Sequence, residues 1–221
     1  MKTLSRADLA HRIDHLILPP EATRLAIQQF CSEARTRNLH GVCVNGSRVE
    51  LACSLLEDTS VKVLALIGFP LGASDADAKR YEAEVAIDHG AQEIQVVLNI
   101  GRLKDGDWCY VLRELRDVAE AADERPVNVI LETSLSTVEE QLIACELALD
   151  SGVRGVCIGT GLRTAIGIEE VNRLRAAVGP KFEVNAWGPI KDAQAALGLI
   201  EAGATRLGTS PCEALLLSLP E

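Results

Sequence analysis

The sequence predicts an α/β protein built as one (β/α)8 barrel, and three observations carry that prediction. Eight short apolar runs bounded by turn residues alternate strictly with segments of helical period. A glycine-turn phrase recurs, as DHGAQEI, DSGVRGV and EAGATRL, each reading as a helix end, a turn and a strand start. Its glycines, Gly90, Gly152 and Gly203, stand 62 and 51 residues apart, two strand–helix units each time. One unit is then roughly 25 to 31 residues, and eight of them consume a chain of 221. The expectation is one domain over 1–221, with a short first helix at about 5–12 and the barrel at about 13–215. An open doubly wound sheet is the alternative, but it calls for a glycine-rich fingerprint after the first strand, and GVCVNGSRV, after the second, is not one.

The strand candidates are 13–18, 41–45, 61–69, 93–100, 127–132, 154–159, 182–187 and 206–210. Between them the clearest helix puts Val111, Leu112, Leu115, Val118, Ala119 and Ala122 on one face. Asp107 precedes it as an N-cap, Thr137 with Glu140 forms a capping box for the next, and Gly90, Gly152, Gly179 and Gly203 mark helix ends.

Composition narrows the function. Apolar residues at 48% suffice for a full core, and aromatics at 3% leave that core to Ala, Val, Leu and Ile. No apolar run reaches the roughly 18 residues of a membrane helix. The opening MKTLSRADLAHRID is charged where a signal peptide needs an apolar stretch, so a cytoplasmic protein with no membrane partner is expected. With 32 acidic against 22 basic residues, the net charge of −10 offers nothing to a nucleic acid. Seven cysteines without a C-x-x-C pair read as reduced thiols. His11, His15, His40 and His89 do not assemble a metal site from their positions, so neither metal nor cofactor is expected. A monomer and a homodimer are both compatible with this acidic chain.

Barrel sites form at the carboxyl ends of strands, where residues two apart point to the same side. That parity turns Gln95, Val97 and Asn99 inward from the fourth strand, Asn128, Ile130 and Glu132 from the fifth, Cys157 and Gly159 from the sixth, and Asn185 and Trp187 from the seventh. Asp14 is a further acidic candidate on the first strand, and no lysine or histidine falls on the interior. Asn99, Asn128 and Trp187 are the expected ligand pocket. A second constellation, Gly159-Thr160-Gly161, Trp187-Gly188-Pro189 and Gly208-Thr209-Ser210, is suited to an anion, because small residues let N–H groups and hydroxyls converge. Thr160, Gly161, Gly188, Gly208 and Ser210 are therefore candidate phosphate-binding residues; the same glycines could instead serve tight strand-to-helix turns.

Six segments carry a family resemblance: IDHLILPPEAT at 13–23, GVCVN at 41–45, VKVLALIGFPLGA at 61–73, EIQVVLNIGRLKDGD at 93–107, VILETSL at 129–135 and EAGATRLGTS at 201–210. From about residue 8 to 215 the chain resembles deoxyribose-phosphate aldolase. The resemblance implies a class I aldolase barrel that joins acetaldehyde to glyceraldehyde 3-phosphate reversibly, through a Schiff base on a lysine and without metal. The residues depart from that pattern at its chemistry. The family's Schiff-base lysine lies in a V-K-T-S-T-G strand, where this chain has Cys157, and its companion lysine, in V-K-A-S-G-G, aligns with Asn185. The aspartate of E-I-D is Gln95, the lysine of V-K-V-I-I-E-T is Asn128, and the threonine of I-D-H-T is Leu16.

These replacements neutralise one cluster and leave the surrounding phrases intact. A thiol adds to an aldehyde, but the hemithioacetal is no electron sink for the carbanion of retro-aldol cleavage. Among other lysines, Lys62, Lys104 and Lys181 fall away from the active face, and Lys191 follows the seventh strand. Cys157 reads as a nucleophile or as an inert buried thiol. Glu132 and Asp14 read as acid–base groups or as hydrogen-bond anchors, and Trp187 as a stacking surface or as a plug. Gln95, Asn128 and Asn185 bind a carbonyl or sugar hydroxyl, or satisfy one another. The expected function is a family barrel without class I activity, holding a neutral pocket for a small polar or phosphorylated ligand. A lyase, isomerase or cyclase using Glu132 or Asp14 is the first alternative, and genuine aldolase activity through an unforeseen lysine the second.

Overall fold

The computed structural model describes residues 4–163, 165–210 and 212–217, and for Ala214 the backbone alone; the remaining residues at the two ends, with Thr164 and Pro211, lie outside the described residues. Eight strands close into a parallel barrel in chain order: β1 (Ile13–Ile17), β2 (Gly41–Asn45), β3 (Lys62–Ile67), β4 (Glu93–Val97), β5 (Val127–Leu131), β6 (Gly155–Ile158), β7 (Glu183–Trp187) and β8 (Arg206–Thr209). Helix α1 (Arg6–Ala10) precedes the barrel. Around it run α2 (Arg24–Arg37), α3 (Val49–Leu56), α4 (Ala76–Asp88), α5 (Ile100–Lys104), α6 (Trp108–Ala121), α7 (Val138–Ser151), α8 (Ile168–Val178), α9 (Ala193–Glu201) and α10 (Glu213–Leu217).

Local chemistry explains these boundaries. Asp107 caps α6 by accepting from the Tyr110 N–H, and Thr137 and Glu140 complete both halves of the capping box at α7. Gly152 takes the left-handed conformation that ends α7. The fourth apolar run is shorter than its hydrophobicity suggests, because the Asn99 side chain accepts from the Arg102 N–H at 3.2 Å and starts α5 where 98–100 reads as strand.

Strand parity separates two cores. Ile94, Val96, Leu98, Val129, Val156 and Val184 face outward into a layer shared with Val111, Leu115 and Val118 of α6 and the buried faces of the other helices. Leu16, Leu18, Cys43, Leu64, Leu66, Val97, Ile130, Cys157 and Trp187 form the inner cluster. Among the described residues no helix is long and apolar enough to cross a membrane.

The barrel floor corrects the expected interior of amides, one thiol and one carboxylate. Arg206 Nη1 donates to Glu93 Oε2 at 2.8 Å, Lys62 Nζ reaches Glu93 Oε1 at 2.9 Å, and Arg206 Nη2 lies 3.4 Å from Glu183 Oε2. The Asp14 carboxylate completes the group, 2.7 Å from His40 Nδ1 and 3.7 Å from Arg206 Nε. The physical reason is the same parity carried two residues toward the strand starts: if Gln95, Asn185 and Gly208 point inward, so do Glu93, Glu183 and Arg206. Burial works against the Arg206 charge, but Asp14, Glu93 and Glu183 outweigh it and raise its pKa.

Candidate functional site

The groups expected to carry chemistry divide into a sealed axis and an open mouth. On the axis Gln95, Asn128, Cys157 and Asn185 are all fully buried. Asn185 Nδ2 donates to Asn128 Oδ1 at 3.4 Å, while both amide atoms of Gln95, Asn128 Nδ2 and Asn185 Oδ1 have no hydrogen-bond partner among the described residues. Burial, then the charge of Asp14 and the neighbouring Cys43, pushes the Cys157 thiol well above the ordinary range, so it is held as neutral S–H. Trp187, one inward step closer to the mouth than Asn185, is also fully buried and belongs to the inner apolar cluster. Its indole packs against Gly208 of the neighbouring strand.

Asp14 does not reach the active face as an acid–base candidate: it sits in the floor. Burial raises its pKa, yet Arg206 and the His40 hydrogen bond outweigh burial and lower it overall. It is a fixed anion of the ion cluster.

At the mouth Glu132 accepts from the Thr160 hydroxyl at 2.6 Å and the Thr160 N–H at 3.2 Å on one oxygen, and from the Ser134 hydroxyl at 2.5 Å on the other. Glu132 thus anchors the β6–α8 loop, and both Thr160 donors expected to face an anion are spent on it. Gly188 donates its N–H to the Gly208 carbonyl at 2.9 Å, so that donor is also occupied. Gly208 answers a different need. A Cβ there would lie 2.3 Å from Trp187 Cδ1, closer than real side chains approach.

What remains open is a cavity of about 370 Å³ lined by Leu16, Leu18, Phe30, Gly161, Arg163, Gly188, Pro189, Thr209 and Ser210, among others. Gly161 has φ +79°, a backbone that disfavours any side chain, and its Cα side packs on Leu16 and Leu18. Arg163, half-exposed, supplies the cavity's positive charge, its Nε 4.0 Å from Glu132 Oε2. Of the residues expected as the ligand pocket, Asn128 and Trp187 are sealed below. Asn99 instead lines a separate polar hollow with Asp75, Arg102 and Tyr110.

Sequence reasoning overlooked three groups. Arg163 lies in an irregular loop and has no periodic signal. His15 points outward from β1 and contacts Ser210, with its Nε2 3.1 Å from Ser210 Oγ. Lys79 was legible, because it falls on the buried stripe Ala76, Lys79, Ala83, Ala86 of α4. Its ammonium donates to Val97 O at 2.8 Å and to Glu114 Oε1 of α6 at 2.7 Å, fully buried behind the barrel wall. Burial lowers its pKa, opposed by Glu114. Lys191 lines a neighbouring apolar cavity of about 240 Å³ with Ile166, Ile168 and Leu199, on the side of β7 where Ala186 points.

Set beside known proteins, the chain is 45% identical over 203 residues to the deoxyribose-phosphate aldolase of Bdellovibrio bacteriovorus, covering 91% of this chain and 92% of that protein. The chain belongs to the deoxyribose-phosphate aldolase family. The aldolase of Thermococcus gammatolerans is likewise 45% identical, with 92% of each chain covered. Among solved structures, the deoxyribose phosphate aldolase of Aeropyrum pernix superposes with TM-score 0.90 at 29% identity, covering 97% of this chain and 92% of that one. An aldolase called QR15 gives TM-score 0.91 at 32% identity, with 95% of each chain covered. No family model matches the chain.

Proposed function

We propose that this chain is a deoxyribose-phosphate aldolase-family barrel that binds a small phosphorylated ligand at its mouth and performs no Schiff-base chemistry on its axis. One observation carries the reading: Cys157, Asn185 and Gln95, at the positions that the resemblance assigns to the family's two lysines and aspartate, are fully buried in the barrel interior, as is Trp187. A Schiff base needs an amine that sheds its proton near neutral pH and a carbonyl that can reach it. The axis supplies a protonated thiol and carboxamides instead. The mouth keeps the features of an anion site, with the Ser210 hydroxyl and the Arg163 guanidinium on one small cavity. Replaced acid–base chemistry through Glu132 is less favoured, since both its oxygens hold loop hydroxyls.

Genuine aldolase activity is the second reading, favoured by relatives at 45% identity that bear that name. It requires an amine from outside the axis. Lys191, on its apolar cavity beside Gly188 and Pro189, is the candidate, and Lys79 is sealed by Val97 and Glu114. Incubation with deoxyribose 5-phosphate, following acetaldehyde release, tests the choice. The proposal expects no release above the uncatalysed background. Turnover that is lost in Lys191→Met would establish the second reading.

A further inference from the structure

Ser210 is the hydroxyl best placed on the mouth cavity, and its partner is unusual. His15 projects from the outer side of β1, fully buried, with its ring 4.4 Å from that of Phe30 and Nε2 3.1 Å from Ser210 Oγ. Its other nitrogen, Nδ1, is buried and has no hydrogen-bond partner among the described residues. Burial pushes the imidazole down to about 4, so the ring carries a single proton at neutral pH.

Where that proton sits determines what Ser210 presents to the cavity. On Nδ1 it would be a buried N–H without an acceptor, a rare and costly arrangement. On Nε2 it is donated to Ser210 Oγ. A hydroxyl that accepts at its oxygen keeps its own O–H free to turn elsewhere, and Ser210 lines the mouth cavity.

We propose that His15 is a positioning residue that holds the Ser210 side chain as a hydrogen-bond donor to a phosphate oxygen in the mouth cavity, with Phe30 bracing the imidazole. The inference rests on the reading of the mouth as an anion site. It adds to that site a residue that lies behind the wall and touches no ligand.

The tautomer is measured on the wild-type chain. Long-range proton–nitrogen correlation spectra of the full chain at neutral pH, with the His15 signals assigned by their loss in His15→Gln, should show a protonated Nε2 and a bare Nδ1. A proton on Nδ1 overturns the inference.

Titration with inorganic phosphate reads the consequence. His15→Phe retains an aromatic ring beside Phe30 and removes the N–H, so Kd should rise roughly tenfold, the effect of one misplaced donor to a charged group. His15→Gln, whose amide N–H can meet the same oxygen, should recover most of that loss. Ser210→Ala should weaken binding as much as His15→Phe, and the double variant no further. Unchanged phosphate affinity in His15→Phe overturns the positioning role alone. A wild-type chain that binds no phosphate overturns the mouth as an anion site, and this inference with it.

Discussion

Gly208 and Trp187 are complementary across neighbouring strands: a Cβ built on Gly208 would lie 2.3 Å from Cδ1 and 2.6 Å from Nε1 of the indole. The placement of the indole therefore depends on a missing side chain in β8 as much as on a large one in β7. Gly208→Ala should destabilise the fold by about 1–3 kcal/mol, the usual range for overpacking. Trp187→Ala should cost about 3–5 kcal/mol by opening a cavity. Because each change relieves the other, the double variant should be more stable than the sum of the two losses, as urea unfolding of all four proteins would show.

The floor cluster gives a second expectation. Arg206→Leu leaves Asp14 and Glu93 buried without their shared cation, a loss of about 3–5 kcal/mol at neutral pH. Burial raises the Asp14 pKa, but Arg206 and His40 lower it overall, so its stabilising share is present above the ordinary carboxylate range and fades as pH falls through the folded-state value. The gap between wild type and Arg206→Leu should accordingly narrow in acid, measured by denaturant midpoints across that range.

His15 imposes an earlier slope. Its folded pKa of about 4 lies below the ordinary histidine value, so from roughly pH 6.5 downward the unfolded chain takes up a proton that the folded chain refuses. Wild-type stability should fall by about 1.4 kcal/mol per pH unit from this group alone, levelling near pH 4. His15→Phe should lack that component; an unchanged slope would show that the ring is not held neutral.

Thiol accessibility separates an inert axis from a reactive one. Cys109 is exposed, whereas Cys43 and Cys157 are fully buried and pushed well above the ordinary thiol range by burial first. Iodoacetamide should label Cys109 in the native protein and reach Cys157 only after unfolding, as peptide mass mapping would show.

The barrel was legible because its signals are periodic and local. Alternation assigned Gln95, Asn128, Cys157, Asn185 and Trp187 to the interior, and the glycine turns gave the unit length. The floor follows the same rule, but Glu93, Glu183 and Arg206 stand at strand starts, opposite the carboxyl ends where barrel chemistry sits. The mouth resisted for a different reason. Whether the Gly188 N–H faces an anion or the Gly208 carbonyl, and whether Thr160 serves a ligand or Glu132, depends on hydrogen bonds between segments far apart in sequence. No spacing rule reports them. His15 was hidden because its ring lies on the helix side of β1 while its effect is at the mouth.

By this reading no amine of the barrel forms an imine with a carbonyl substrate. Borohydride reduction in the presence of acetaldehyde, then of deoxyribose 5-phosphate, followed by intact-mass and peptide mass spectrometry, decides the point. No lysine adduct should exceed that of a borohydride control with denatured protein. A stoichiometric reduced adduct on a single lysine, Lys191 or any other, would restore Schiff-base chemistry to this barrel.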